Sequence, residues 1–308
     1  MIQTTKKITV IGAGMWGTAL GHLAQKNHHQ IRLWSRHSDK SLTEVVTDAQ
    51  IIISAVAMKG LESLIEQLKT VSISENTIIV TATKGLDPRT LDTPSHLWQQ
   101  AFPPNAIVVL SGPNLSKEIE KGLPAATVVA SQDLKAAEII QSIFASDLFR
   151  VYVNEDPIGT ELGGVLKNIM AIAAGVCAGL KLGTNAQAAL LTRALPEMIR
   201  VGRYWGAKPE TFMGLSGLGD LLATCSSPLS RNYQVGYKIA QGKTLEQILE
   251  ESEGTAEGIN TTNVLIKLAL SENIYVPIAS CVYQLLKGEK SPEEAVQTLM
   301  ARELKQEF

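Results

Sequence analysis

Gly12-Ala13-Gly14-Met15-Trp16-Gly17 stands directly after an apolar, β-branched run, Ile8-Thr9-Val10-Ile11, and directly before a helix-like stretch, Thr18 to Gln25. Few local patterns restrict a fold as tightly, because each glycine answers a different demand. The first permits a tight turn out of a strand, the second lets backbone approach a pyrophosphate, and the third lets the helix lie close to the strand. The spacing alone is common. Strand, turn and helix in that order read as the opening of a dinucleotide-binding βαβ unit with phosphate at the helix N-terminus. Gly12, Gly14, Met15, Trp16 and Gly17 are therefore expected to line a cofactor site.

The first half of the chain continues in the same manner. Continuous apolar runs at residues 31–34, 51–56, 77–81, 106–110, 126–130 and 149–153 alternate with amphipathic segments, the signature of strands buried on both faces of a mainly parallel sheet. From about Pro157 the texture changes to long Ala-, Leu- and Gly-rich segments with few β-branched runs, at 159–180, 185–206, 244–251, 262–271 and 291–303. Pro292 after Ser291 is a helix start, and Gly206, Gly242 and Gly288 are helix stops. The expected fold is α/β, a doubly wound (Rossmann) sheet over residues 1–156, followed by an all-helical domain over 157–308.

With 308 residues, a formal net charge of −2 and 45% hydrophobic residues, the chain can bury a large core and has no global attraction for nucleic acid or anionic lipid. Cys177, Cys225 and Cys281 show no metal-ligand or disulfide spacing, so no metal site is expected and a reduced, cytoplasmic protein is. No leader is read at the N-terminus, which runs straight into a strand. The most apolar run, Ile169 to Leu180, is bracketed by Lys167 and Lys181, short of the roughly 20 residues that span a bilayer.

An NAD-specific site places an acid about 20 residues beyond the glycine turn, to hold the ribose 2′-hydroxyl. Here the second strand ends Leu33-Trp34-Ser35-Arg36. An arginine can accept a 2′-phosphate, so NADP(H) is expected ahead of NAD(H), with Arg36 the first candidate and Arg32 the second. All five histidines lie at or before His96, none in a glycine-rich or strand-terminal motif. A proton donor from the second half must then be Lys, Tyr, Asp or Glu. Lys167 is the candidate: it sits on an otherwise almost uncharged helix beside Gly163 and Gly164, where desolvation would lower its pKa. Lys84 and the Ser111-Gly112-Pro113-Asn114 loop follow strands at the carboxyl edge, where doubly wound sheets bind ligands. Gly214 to Asp220 is glycine-dense, and Ser230-Arg231-Asn232 offers hydroxyl, guanidinium and amide to a phosphate or a carboxylate.

In this order Gly12–Gly17, Thr83-Lys84-Gly85, Ser111-Gly112-Pro113, Gly163-Gly164-Val165-Leu166-Lys167-Asn168, Leu218-Gly219-Asp220 and Ser230-Arg231-Asn232 make a chain that resembles the bacterial NAD(P)-dependent glycerol-3-phosphate dehydrogenases over nearly its whole length. The resemblance implies reversible reduction of dihydroxyacetone phosphate to sn-glycerol 3-phosphate, a precursor of glycerophospholipids, in a homodimer. It implies Lys167 as proton donor and acceptor, and Lys84 near nicotinamide and substrate. Asp220 and Asn232 would hold substrate hydroxyls, with Gly112, Asn114 and Ser230 also at the substrate. Arg231 would bind phosphate and approach the cofactor, which Ser116, Thr255 and Glu257 would also touch. The chain departs from the family between Arg36 and Asp48, where a further helix and strand usually stand and only residues 37–47 lie here. One βα unit is expected to be missing. Met15, Asn114 and Ser116 replace the Ser, Ser or Thr, and Ala common in the family. Two rival readings are a reductase of hydroxy or keto acids and a dinucleotide sensor without catalysis.

Overall fold

The computed structural model describes residues 4–251, 256–304 and 306. Strands β1 (Lys7–Ile11), β2 (Gln30–Trp34), β3 (Ile51–Ser54), β4 (Ile78–Thr81), β5 (Ile107–Ser111), β6 (Ala125–Ala130) and β7 (Phe149–Asn154) form one sheet, in the order β2-β1-β3-β4-β5-β6-β7. The first five run parallel; β6 is antiparallel to β5, and β7 parallel to β6. Helices α1 (Met15–Lys26), α2 (Leu42–Val46), α3 (Leu61–Lys69), α4 (Pro94–Ala101), α5 (Ser116–Glu120) and α6 (Leu134–Phe144) fill the connections.

The uninterrupted apolar runs have a simple cause. Ile51 and Ile53 of β3 enter a core with Leu20 of α1, Ile119 of α5 and Ile140 of α6, while Ile52 between them enters a second core with Val45 of α2, Leu61 of α3 and Trp98 of α4. Successive side chains point to opposite faces, and helices cover both.

From β1 the chain passes to β2 on one side, then to β3 on the other. That reversal opens a crevice at the carboxyl ends of β1 and β3, where doubly wound sheets take their ligands. The expected missing βα unit is indeed missing: only the short α2, closed by a Ser41/Glu44 capping box, separates β2 from β3. Among the described residues β2 is one edge of the sheet and β7 the other, and Asp48 pairs with Arg32 of β2 and, at 2.8 Å, with Lys7 of β1.

Beyond β7 follow α7 (Pro157–Gly179), α8 (Gly183–Tyr204), α9 (Pro209–Phe212), a π-helical turn (Leu215–Gly219), α10 (Asp220–Cys225), α11 (Arg231–Ala240), α12 (Leu245–Glu250), α13 (Glu257–Ser271), α14 (Pro277–Leu286) and α15 (Pro292–Met300). α7 is their axis. It extends the apolar run at 169–180 back through Lys167, and so becomes long and apolar enough to cross a membrane. Its most apolar 18-residue stretch is 89% buried, however, inside the core of this protein. Leu86, from the loop after β4, joins that same core.

Gly206, Gly242 and Gly288 follow α8, α11 and α14 with φ of +79°, +87° and +68°, the left-handed ends expected of them. Ser291 and Pro292 open α15 with a capping box. Four helices escaped the sequence reading. Ser230-Arg231-Asn232, read as a set of groups for a phosphate or carboxylate with no helix assigned, is the cap and first turn of α11, and α9, α10 and α14 were not foreseen. α11 meets α7 through backbone rather than an apolar stripe: a Cβ on Gly236 would lie 1.9 Å from the Ile172 oxygen, and one on Gly175 of α7 2.0 Å from the Tyr233 oxygen.

This crossing sets how near the start of α11 comes to the middle of α7. Gly236→Ala should therefore lower stability by about 1–3 kcal/mol, the usual result of overpacking, read as a fall in the denaturant midpoint at unchanged slope.

Candidate active site

At the glycine turn Gly12 and Gly17 take the turn and packing roles foreseen for them. Gly12 has φ +113°, and a Cβ there would strike the Ala55 oxygen at 2.7 Å; at Gly17 a Cβ would sit 1.9 Å from the Gly12 oxygen. Gly14, between them, caps α1 without a side-chain hydrogen bond and faces open space for at least 4 Å. Unsatisfied N–H groups at the start of a 12-residue helix, with no side chain in front, form a cradle for a pyrophosphate. A dinucleotide fits. Met15 is exposed and begins α1, and the buried Trp16 Nε1 has no partner among the described residues.

The turn beyond β2 is tied by Ser35 and Ser38, whose hydroxyl accepts the Ser35 N–H at 2.9 Å. Arg36 stands exposed on that turn. Arg32 is committed to Asp48, which it grips with both guanidinium nitrogens.

Beyond β4, the Thr83 hydroxyl donates to the Val56 carbonyl at 2.9 Å and holds the loop that carries Lys84. From the other side Asn260 of α13 donates to the Leu86 carbonyl at 3.1 Å. Glu257 lies beside Gly85, its Oε2 3.4 Å from where a Cβ would stand.

Lys84 and Lys167 converge on one carboxylate. Lys84 Nζ donates to Asp220 Oδ2 at 2.7 Å, and Lys167 Nζ donates to Asp220 Oδ1 at 2.5 Å and to Thr224 Oγ1 at 2.6 Å. Thr224 donates in turn to Asp220 Oδ1 at 3.1 Å. Asp220 is placed by the π-helical turn, in which Gly219 N–H reaches back five residues to the Gly214 carbonyl at 3.1 Å. That turn rests on α7 at Gly163, where a Cβ would be 2.5 Å from the Ser216 oxygen. One residue on, a Cβ at Gly164 would meet Ser111 Oγ at 2.3 Å and Lys84 Nζ at 3.2 Å. The paired glycines thus admit both walls of the cleft to the same helix.

Lys167 is 7% exposed, which rules out a lysine reaching for solvent from a helix surface. Burial brings its ammonium down to about 8, reinforced by the positive charge of Lys84 and opposed by Asp220. The neighbouring Cys225 thiol is pushed by burial up to about 12 and stays neutral. An amine that exchanges a proton near neutral pH, held in fixed geometry, can serve as acid in one direction and base in the other.

The remaining candidates lie around this cluster. Gly112 has φ +149° and packs on Thr127. Asn114 donates to Thr127 Oγ1 at 2.8 Å, while its buried Oδ1 and the Ser111 hydroxyl have no partner among the described residues. Asn232 is buried and accepts the Gly258 N–H at 3.0 Å, which leaves its amide N–H groups to donate. The Ser230 hydroxyl is occupied in part, accepting the Tyr233 N–H as the cap of α11. Arg231 begins that helix, exposed and with no acid paired to it among the described residues. No hydrogen bond or ion pair joins Arg36, Ser116 or Arg231 to the lysine cluster among the described residues; Thr255 lies outside those residues. The sequence reading missed Thr224, although it stands one helical turn from Asp220, because α10 was not recognised as a helix.

Comparison with known proteins places the whole chain in one family. The family model for the NAD-dependent glycerol-3-phosphate dehydrogenase N-terminus matches residues 7–41 and 37–137, and that for the C-terminus of the same family matches residues 156–297. A glycerol-3-phosphate dehydrogenase [NAD(P)+] of Acaryochloris marina is 61% identical over 305 residues, covering 99% of this chain and 98% of its own. One from Trichormus variabilis is 58% identical over 308 residues and is covered completely, as is this chain, so the short segment after Arg36 is no loss peculiar to it. The crystal structure of glycerol-3-phosphate dehydrogenase from Coxiella burnetii superimposes with a TM-score of 0.92 at 32% identity, covering 97% of this chain and 99% of that one.

The electrostatics of the cluster can be checked without any substrate. The Lys167 amine should titrate near pH 8 in competitive labelling, and in Asp220→Asn it should titrate lower, because the anion that favours the ammonium is gone. An upward move would contradict this account of the site.

Proposed function

The chain belongs to the NAD-dependent glycerol-3-phosphate dehydrogenase family, and on that footing we propose how its cleft performs the reaction; the observation that carries the reading is the buried Lys167, held by Asp220 opposite Lys84. The enzyme catalyses the reversible reduction of dihydroxyacetone phosphate to sn-glycerol 3-phosphate with NADH or NADPH. The bound nicotinamide supplies the hydride that C2 receives. Everything else falls to the protein.

Lys167 donates a proton to the C2 oxygen during reduction and recovers it in the reverse direction. Asp220 fixes the ammonium in place, and Lys84, on the opposite wall, adds positive charge beside the developing alkoxide. Asp220 and the free amide of Asn232 hold substrate hydroxyls. Arg231 takes the phosphate, helped by the N-terminal end of α11 and by Ser230, in a charge-assisted, two-pronged contact. Gripping a remote phosphate supplies binding energy that orients C2. Gly112 and Asn114 close the substrate side.

The glycine turn carries the pyrophosphate, and Met15, Trp16, Ser116, Thr255, Glu257, Lys84 and Arg231 complete the cofactor contacts. NADP(H) is preferred over NAD(H) through Arg36, since Arg32 is already engaged by Asp48. The division into a dinucleotide-binding domain and a helical substrate domain falls at residue 156, where Asp156 caps α7 by accepting the Gly159 N–H at 2.9 Å. The protein works in the cytoplasm as a homodimer on a small phosphorylated substrate, without nucleic acid or membrane insertion, and feeds glycerophospholipid synthesis.

The direct test is oxidation of NADPH and of NADH in the presence of dihydroxyacetone phosphate. Lys167→Ala should lose kcat by roughly 10²- to 10⁴-fold while it still binds cofactor; near-normal turnover would remove Lys167 from the reaction. Arg231→Ala should raise KM for the phosphorylated ketone roughly tenfold to a hundredfold, the worth of a hydrogen bond to a charged group. An unchanged KM would place the phosphate elsewhere.

A further inference from the structure

The opening turns of α7 contain three glycines within six residues, Gly159, Gly163 and Gly164, although glycine is the poorest helix former after proline. Each is excused a side chain by close packing: a Cβ at Gly159 would be 2.2 Å from Asp156 Oδ2, and Gly163 and Gly164 meet the π-helical turn and Ser111 as described. Bare backbone packs closely. It does little to stop a helix sliding along its own axis.

Among these glycines stands Glu161, 3% exposed and used by no step of the reaction above. Its Oε1 accepts the Ser95 N–H at 3.0 Å, and the Ser95 hydroxyl donates to its Oε2. Ser95 is the second residue of α4. The cap of that helix, Thr93, accepts from His96, and Pro94 has no N–H to offer, so the Ser95 amide has no acceptor in its own helix. Glu161 provides one from the other domain, with its carboxylate at the positive end of α4. Burial pushes this carboxyl up to about 7, opposed only by the Ser95 and Thr93 hydroxyls and the Ser95 amide, with no cation among the groups acting on it. A buried acid in such company is costly to keep. It lies about 9 Å below Lys167 along the helix axis and about 240° round from it, by ideal helix geometry. One face of α7 is thus keyed to α4, and another presents Lys167 to α10.

We propose that Glu161 is a positioning residue for the reaction: by docking the first turns of α7 on the N-terminus of α4, it sets the axial register at which Lys167 reaches Asp220 and the substrate oxygen. This rests on the reading of Lys167 given above. An ångström of misplacement is enough to lower turnover by about 10²-fold, so the docking contact acts on the rate and leaves the phosphate and cofactor contacts alone.

The experiment compares Glu161→Ala, Glu161→Gln and Ser95→Ala, all as full-length enzyme, by kcat, KM, NADPH affinity and the titration of the Lys167 amine. Glu161→Ala should lose kcat roughly 10- to 100-fold, with KM and NADPH affinity within about threefold of the parent. Its Lys167 amine should titrate upward from about 8 toward the ordinary lysine range, as water enters beside a displaced helix. Glu161→Gln, which can still accept from the Ser95 amide and bond its hydroxyl, should restore most of both. If Glu161→Ala does not fold, Ser95→Ala decides: a smaller loss in kcat at constant KM supports the proposal. A folded Glu161→Ala, or Ser95→Ala in its place, with parental kcat and an unmoved Lys167 titration overturns it. Absence of turnover in the parent enzyme would instead defeat the reading of the reaction, and the Lys167 titration alone would then decide for or against the docking role.

Discussion

Asp220 brings a single negative charge to a place where two lysines end, one from each half of the chain. Lys167 and Asp220 are buried and Lys84 only partly so; burying an ion costs several kcal/mol, and a carboxylate shared between two ammonium groups offsets only part of it. The remainder must come from the surrounding packing, and the structure provides close approach at two glycines: the backbone of the π-helical turn seated on Gly163, and the Ser111 side chain of β5 seated on Gly164. The residual charge is positive. A cluster with one cation more than it has anions is suited to a phosphorylated ketone whose C2 oxygen becomes negative as it reacts. Removing either lysine would leave a neutral pair, a tidier arrangement for stability and a poorer one for stabilising an alkoxide.

How much of this could be read beforehand depended on the range of the interaction. The inner strands, β1 and β3 to β6, were legible because each is buried on both faces, and its own residues say so. The glycine turn was legible because turn, close approach and helix packing each demand the absence of a side chain within six residues. Gly206, Gly242 and Gly288 were legible for the same local reason. α11 and α14 were not, since α11 binds α7 through glycine and backbone and so leaves little apolar periodicity. The ion cluster was visible only as separate candidates. Lys84 and Asp220 are 136 residues apart, and nothing local to either announces the other. Thr224 was missed for want of a recognised helix, and Glu161 because an acid within a Gly-rich stretch looks like any surface glutamate until its burial is known.

The short connection between β2 and β3 shows a different economy. Omitting a βα unit leaves β2 as an edge, and an edge strand invites pairing with another chain. Here Asp48, just before β3, pairs with Lys7 of β1 and Arg32 of β2, and so ties the edge strand to the two strands next inside it in the sheet. The same pairing engages both guanidinium nitrogens of Arg32, while Arg36 stands exposed on the turn beyond Trp34.

The composition of α7 bears on how the protein is made as well as on what it does. When the ribosome has released this helix, the sheet can shelter one side of it, but α8, α10, α11 and α13 are still to come. For that interval a 23-residue segment apolar enough for a bilayer lies partly uncovered. Lys167 is the eleventh of those residues, at the middle, where an ammonium disfavours insertion by about 2.5–3.5 kcal/mol. The charge proposed to move a proton also marks the nascent helix as one that does not belong in lipid.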